Sequence, residues 1–199
     1  MLTLFLIRHG ENDYLKEDRM PGRLPGISLN EAGRQQAWAI ARKLAQAPIC
    51  AIYSSPLERT METAAPLAEA LGLAVIPRPG LIEVDIGEWQ GRSHKGLARL
   101  KAWKEVQETP SQFRFPGGET FADCQQRMVG EIEALCAQHK ADELLACFSH
   151  GDPIRLAAAH YLGMPLDHFQ RLEIAPGSVT ALQMSPQGIR LLYLNLPSK

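Results

Sequence analysis

The sequence contains no apolar run that approaches the length needed to cross a bilayer. Its amino terminus has no basic stretch leading into a signal-like hydrophobic segment. The expectation is a cytoplasmic protein without a membrane partner. Cysteine is scarce. Cys50, Cys124, Cys136 and Cys147 have no metal-ligand spacing, so free thiols are expected, with Cys50 and Cys147 buried in apolar strand-like runs. Neither sign of charge dominates: a formal net charge of -1 gives no basic surface for nucleic acid. Internal repeats, linkers and low-complexity segments are absent too. What remains is a chain of 199 residues, 45% hydrophobic and 22% charged, which reads as one globular domain over residues 1–199.

Apolar Leu4, Phe5, Leu6 and Ile7 run without alternation, the pattern of a strand covered on both faces. The run breaks into Arg8, His9, Gly10 and Glu11, and a polar loop over residues 12–30 follows. Asn30 can cap a helix over 31–46, with Gly33 a blemish in it. A second buried strand, 49–53, leads into Ser54-Ser55-Pro56-Leu57-Glu58. There Ser55 as N-cap, Pro56 at the first helical position and Glu58 two residues on predict a capping box. That helix reaches about residue 70, and a third strand spans 73–77. Helices are expected over 94–107 and 119–139, a strand over 143–148, and a helix over 153–162 capped by Asp152. Three closing strands are expected at 171–174, 178–184 and 189–194. This order predicts an α/β fold, a three-layer α/β/α sandwich with a mostly parallel central sheet and an antiparallel edge. That last edge is able to pair across a twofold axis, which leaves a homodimer open.

His9 and His150 each follow a buried strand immediately. In a parallel sheet both strand ends face one crevice, at the carboxyl edge where open α/β sheets place their sites. Arg8 joins them, and Arg59 can approach from the start of its helix. Two imidazoles and two guanidiniums in one crevice suit a small, highly charged anion, because arginine forks match phosphate oxygens. A histidine held there can attack phosphorus, and a nearby carboxylic acid can protonate the leaving alcohol. No metal and no cofactor is needed. His94, His139, His160 and His168 read as surface or packing histidines.

These motifs resemble, in order, those of the histidine phosphatase superfamily, the phosphoglycerate-mutase-like enzymes. The matching stretches are LFLIRHGEN, SLNEAGRQQA, SSPLERTMETA, LIEVDIGEWQG, FPGGETFADCQQR and FSHGDPIR. The resemblance implies a phosphoglycerate-mutase-like fold. It implies His9 as the phosphorylated nucleophile, with Arg8, Arg59 and His150 completing the phosphate pocket. Glu83 takes the place of the general acid, with Asp85 and Glu88 as competing carboxylates. Gly10 and Gly151 would let backbone approach the phosphate, and Glu11 would orient the site through His9 or an arginine.

The departures from the family pattern bear on substrate. Asn12 stands where many relatives have Thr or Ser, though its amide can still donate to a phosphate oxygen. Leu15 and Pro21 replace polar residues of the mutases, while Gly22 keeps their backbone contact. Arg23, with Lys16, Arg19 and Arg114, would extend positive potential. Trp89, Trp103, Phe113 and Phe115 could wall the leaving-group site. Asp152 is either a helix cap or an acid at the pocket rim. The expected activity is a metal-independent phosphomonoester hydrolase using a phosphohistidine on a small phosphorylated metabolite. The alternative is a phosphoglycerate mutase using the same histidine. The chain is shorter than the glycolytic mutases, which favours hydrolysis.

Overall fold

The apolar runs pair side by side. In the computed structural model, which describes residues 1–198, six strands form one sheet in the order β3-β2-β4-β1-β5-β6. β1 (Leu2–Arg8), β2 (Ile49–Ser54), β3 (Val75–Pro77) and β4 (Leu144–Ser149) are parallel. β5 (Val179–Ser185) and β6 (Gly188–Leu196) add an antiparallel edge beside β1. The helical elements are α1 (Asp13–Lys16), α2 (Glu31–Leu44), α3 (Glu58–Leu71), α4 (His94–Leu97), α5 (Lys101–Glu108), α6 (Phe121–Gln138) and α7 (Gly151–Tyr161).

The unbroken hydrophobicity of the central strands follows from two covered faces. Leu2, Leu4 and Leu6 of β1 pack with Met128, Ile132 and Leu135 of α6 and Ile154 of α7. On the other face Ile7, Ile52 and Phe148 meet Ile40 and Leu44 of α2 and Ala64 and Leu67 of α3. The fold is therefore a three-layer α/β/α sandwich, as expected. A wholly buried side chain such as Leu4 or Leu6 contributes about 1.5–3 kcal/mol. A third cluster, built on Trp89, Phe113, Phe115, Phe121 and Phe169, holds Val84 and Ile86 and so anchors the loop that carries Glu83.

Several expected boundaries shift. The helix expected over 94–107 is two, α4 and α5, and the break brings Leu97 and Val106 into the same aromatic cluster. No strand forms at 171–174. A 3-10 turn, Leu166–Arg171, precedes it, and the chain there is held instead by Arg8 Nη1 donating to the Ile174 carbonyl at 2.5 Å. Cys50 is exposed, whereas Cys147 is buried. The register between β2 and β4 jumps from Ile49 to Ala51, so Cys50 is the extra residue of a bulge and turns outward.

Gly33 is a packing requirement of α2. A Cβ there would overlap the Glu11 carbonyl oxygen, and a Cβ on Gly10 would lie 2.6 Å from the Gly33 carbonyl oxygen. The two glycines let α2 press against the backbone that follows β1. Helix propensity alone favours alanine by about 1 kcal/mol. Overpacking of this contact should reverse the sign, so Gly33→Ala is expected to destabilise by roughly 1–3 kcal/mol. A urea midpoint at or above that of the parent protein would refute the contact.

Candidate active site

β1 and β4 pair with Arg8 opposite Ser149, and the His9 amide donates to the Ser149 carbonyl at 3.0 Å. The next residues, His9 and His150, are thereby neighbours, with ring centroids 5.2 Å apart. Both rings are buried. His9 Nδ1 donates to the Gly10 carbonyl oxygen at 2.7 Å. A carbonyl can only accept, so Nδ1 carries the proton and Nε2 keeps its lone pair. Burial, then Arg59 and Arg8, push the His9 pKa well below the usual histidine value, so the ring is neutral. His150 is lowered in the same way, by burial first and then by Arg59.

Arg59 lies in the first turn of α3, fully buried. Its Nη2 donates to the Gly22 carbonyl at 2.7 Å, and burial lowers its pKa to about 10, which leaves it charged. Arg8 lies against Gly151, where a Cβ would sit 3.2 Å from the guanidinium carbon. The missing side chain of Gly151 makes room for Arg8. The buried nitrogens without a hydrogen-bond partner among the described residues include Arg8 Nε, Arg59 Nε and Nη1, His150 Nδ1 and Asn12 Nδ2. Such donors suit the several acceptor oxygens of a phosphoryl group.

Glu83 Oε2 stands 3.8 Å from His150 Nδ1, and its Oε1 accepts from the Val84 amide. Burial, and then the Asp152 carboxylate, raise its pKa to about 7 against the pull of Arg59 and Arg8. A carboxyl poised near neutrality can donate and recover a proton. Beside it a cavity of about 240 Å³ is lined by Arg8, Arg19, Gly22, Glu83, His94, Asp152 and Arg155, among others.

The other expected site residues divide. Gly22 lines the cavity with a φ of 54°, which suits glycine. Asn12 caps α1 by accepting from the Leu15 amide, which leaves its amide nitrogen free. The Gly10 amide donates to Thr63 Oγ1, and its missing side chain serves the contact with α2 instead of a phosphate. Arg23 is not on the cavity wall. It donates to the Glu83 carbonyl and to Glu119 and pairs with Asp85 at 3.5 Å, so it braces the acid loop. Asp85 is committed to Arg23 and the Gly87 amide, which leaves Glu83 alone of the three candidate acids on the wall. Glu11 accepts from Asn30 Nδ2 and, among the described residues, makes no hydrogen bond or ion pair with His9 or an arginine.

Two capping expectations fail. Ser55 makes no capping box: α3 starts at Glu58 after Leu57, and Ser55 Oγ faces His150 Nε2 at 2.8 Å. Asp152 lies inside α7, with His150 in the N-cap position, and pairs with Arg155 at 2.9 Å. The Ser55 hydroxyl is shared between the Leu57 amide and His150, and Asp152 pairs three residues along its own helix. Trp89 and Phe113 are buried in the third core, not on this cavity. Arg114 pairs with Asp123 on the surface.

Glu119 was not singled out by the sequence. Its Oε1 accepts from Arg23, Arg127 and the Asp85 amide, which clamps the acid loop to α6. The signal in the sequence is the GGE of FPGGETF. His94, expected to be a bland surface residue, lines the cavity and meets Asp18 at 2.9 Å.

Residues 4–197 match the family model described as histidine phosphatase superfamily (branch 1). The chain is 31% identical over 198 residues to phosphoserine phosphatase 1 of Hydrogenobacter thermophilus, covering 98% of this chain and 93% of that one. A probable phosphoglycerate mutase of Erwinia tasmaniensis is 30% identical over 94% of this chain and 87% of its own length. Among solved structures, a mycobacterial glucosyl-3-phosphoglycerate phosphatase complexed with VO3 superposes with a TM-score of 0.89. It is 30% identical, over 98% of this chain and 99% of that one.

The Glu83 environment has a measurable consequence. An unperturbed glutamate titrates near 4.5 and the folded one near 7, so between these values the folded state holds more protons than the unfolded state. This raised group contributes stability that is lost as the pH climbs from about 4.5 to 7. The two depressed histidines act in the opposite sense, with stability lost as pH falls below 6.5, and are common to parent and variant. Glu83→Gln should therefore gain stability relative to the parent as pH rises through that window in phosphate-free buffer. Thermal melts in which the difference stays flat with pH would contradict the assignment.

Proposed function

The chain belongs to the histidine phosphatase superfamily, branch 1, and from that membership we propose a phosphomonoester hydrolase acting through a phosphohistidine on His9. The observation that carries the reading is the His9 Nδ1 to Gly10 carbonyl hydrogen bond, which leaves Nε2 unprotonated beside two arginines. In this mechanism Nε2 attacks phosphorus and the bond to the leaving oxygen breaks. The Glu83 carboxyl gives its proton to that oxygen, and the alcohol departs. Water then attacks the phosphohistidine while the Glu83 carboxylate takes its proton, and the phosphorus–nitrogen electron pair returns to His9. Arg8, Arg59, His150 and the Asn12 amide hold the phosphoryl oxygens as charge moves onto them. Gly22 and Gly151 shape the pocket, and Arg23 positions the acid loop. These steps use neither metal nor organic cofactor.

We take the substrate to be a small phosphorylated metabolite, the phosphate ester of a short hydroxy acid. The names of the relatives support this, since phosphoserine and the phosphoglycerates all carry a carboxylate near the phosphate. So does the cavity, which is small and lined by Arg19, His94 and Arg155. The likeness to a probable mutase supports a second reading, phosphoglycerate mutase. Among the described residues no helix is long and apolar enough to cross a membrane. We place the protein in the cytoplasm as one domain over residues 1–199, without nucleic acid or membrane partners. The half-exposed β6 edge, with Leu192 and Leu196, is compatible with a homodimer.

His9→Ala should abolish an acid-labile, base-stable phosphoenzyme and lower turnover by about 10³-fold or more. Near-native turnover in that variant would end the covalent reading. Glu83→Gln should slow alkyl phosphates by about 10²–10⁴-fold, yet slow activated aryl phosphates far less, because only the poor leaving group needs the proton. Equal losses would assign the acid elsewhere. With a monophosphoglycerate and catalytic bisphosphoglycerate, phosphate release should outrun isomer exchange. The reverse ratio selects the mutase.

A further inference from the structure

At the opposite end of the sheet three side chains of metal-binding type meet. The Cys50 sulfur, a His139 ring nitrogen and a Glu143 carboxylate oxygen lie within 4.8 Å of one another. None of them takes part in the phosphate site, and each arrives by a different local device. Cys50 is the bulged residue of β2, and a bulge re-aims a side chain that a regular strand would alternate elsewhere. His139 is the C-cap of α6, and Glu143 immediately precedes β4. The ring is held on both sides: Tyr53 Oη lies 2.8 Å from Nε2, and Glu143 Oε2 lies 2.5 Å from Nδ1.

We propose that Cys50, His139 and Glu143 form a divalent-metal site of the zinc type, with water as fourth ligand and Tyr53 orienting the imidazole. One thiolate, one imidazole and one carboxylate is a borderline-soft set that suits zinc better than calcium or magnesium. Metal–ligand bonds of about 2.0–2.3 Å require ligand atoms roughly 3.3–3.8 Å apart, so His139 Nδ1 and Glu143 Oε2 must part from 2.5 Å while the longer separations, up to 4.8 Å, close. Partial exposure of all three side chains permits that movement. The proton balance is explicit. The Cys50 thiol gives its proton to solvent and becomes thiolate. The proton on His139 Nδ1, which faces the Glu143 carboxylate, relocates to Nε2, and Tyr53 Oη turns from donor to acceptor. The metal then takes the place between His139 and Glu143, and one proton is released per ion bound. Such a site ties the start of β2 to the turn between α6 and β4. Cys50 and Ser55 are five strand residues apart, about 16 Å, so the phosphate pocket is untouched.

Cobalt(II) titration of the full chain tests this, because tetrahedral thiolate ligation gives a near-ultraviolet charge-transfer band. One equivalent should give that band, release one proton per ion in weakly buffered solution near neutral pH, and be displaced by zinc. Cys50→Ser should lose the band while keeping phosphatase turnover, and Glu143→Gln should weaken binding by about tenfold or more. Tyr53→Phe should bind with a smaller loss than either. Absence of the band, or its persistence in Cys50→Ser, would overturn the site. Since Cys50 is exposed, that variant is expected to fold.

Discussion

The constraint on which the rest depends is the burial of two guanidiniums at the carboxyl edge of the sheet. Taking a charge out of water costs several kcal/mol even after relaxation, and a buried cation normally sits against a carboxylate. Here the direct partners of Arg8 and Arg59 are carbonyls, those of Ile174 and Gly22. Glu83 is the carboxylate that acts most strongly on either, and it is itself raised toward neutrality. Burial, reinforced by that uncompensated field, keeps His9 and His150 neutral. A neutral imidazole with a fixed tautomer is a nucleophile, and a protonated one is not. The same charge that makes the crevice costly without an anion makes its histidine reactive.

Stability for that arrangement comes from the layers around it. The β1–β4 register brings the two histidines together, and both strands are packed on each face by α2, α3, α6 and α7. The acid is held differently, on a loop. Glu119 and Arg127 from the α6 region, together with Arg23, bind its backbone, and Val84 and Ile86 sink into the aromatic cluster. A loop clamped by charge-assisted hydrogen bonds and an apolar anchor can present a carboxylate as rigidly as a strand would.

The sheet, the two strand-end histidines and Arg59 were legible because continuous apolar runs and motif order carry them. What the sequence hid are residues whose local role was outbid by a distant partner. Ser55 occurs where a cap is the ordinary reading, and its hydroxyl turns instead toward His150, far away in sequence. Local pattern rules price only neighbours in sequence. Gly33 looked like a flaw in a helix for the same reason, since its contact with Glu11 comes from another element. Cys50 reads as a buried strand residue until the bulge is known, and a bulge leaves no mark in composition.

The placement of Asp152 links binding to proton transfer. It raises Glu83, whereas Arg59 and Arg8 lower it, so the carboxyl responds to whatever alters that balance. A phosphate dianion seated on the arginines offsets the two charges that favour ionisation and leaves the Val84 amide to oppose Asp152 and burial. On the proposed mechanism Glu83 is then protonated when substrate is in place, as an acid must be. Once the alcohol has carried the proton away, the carboxylate faces a phosphohistidine with the arginines still beside it. Water is the one remaining proton source, and the group that served as acid becomes the base. One carboxyl can do both because its pKa of about 7 lies where small electrostatic changes decide its state.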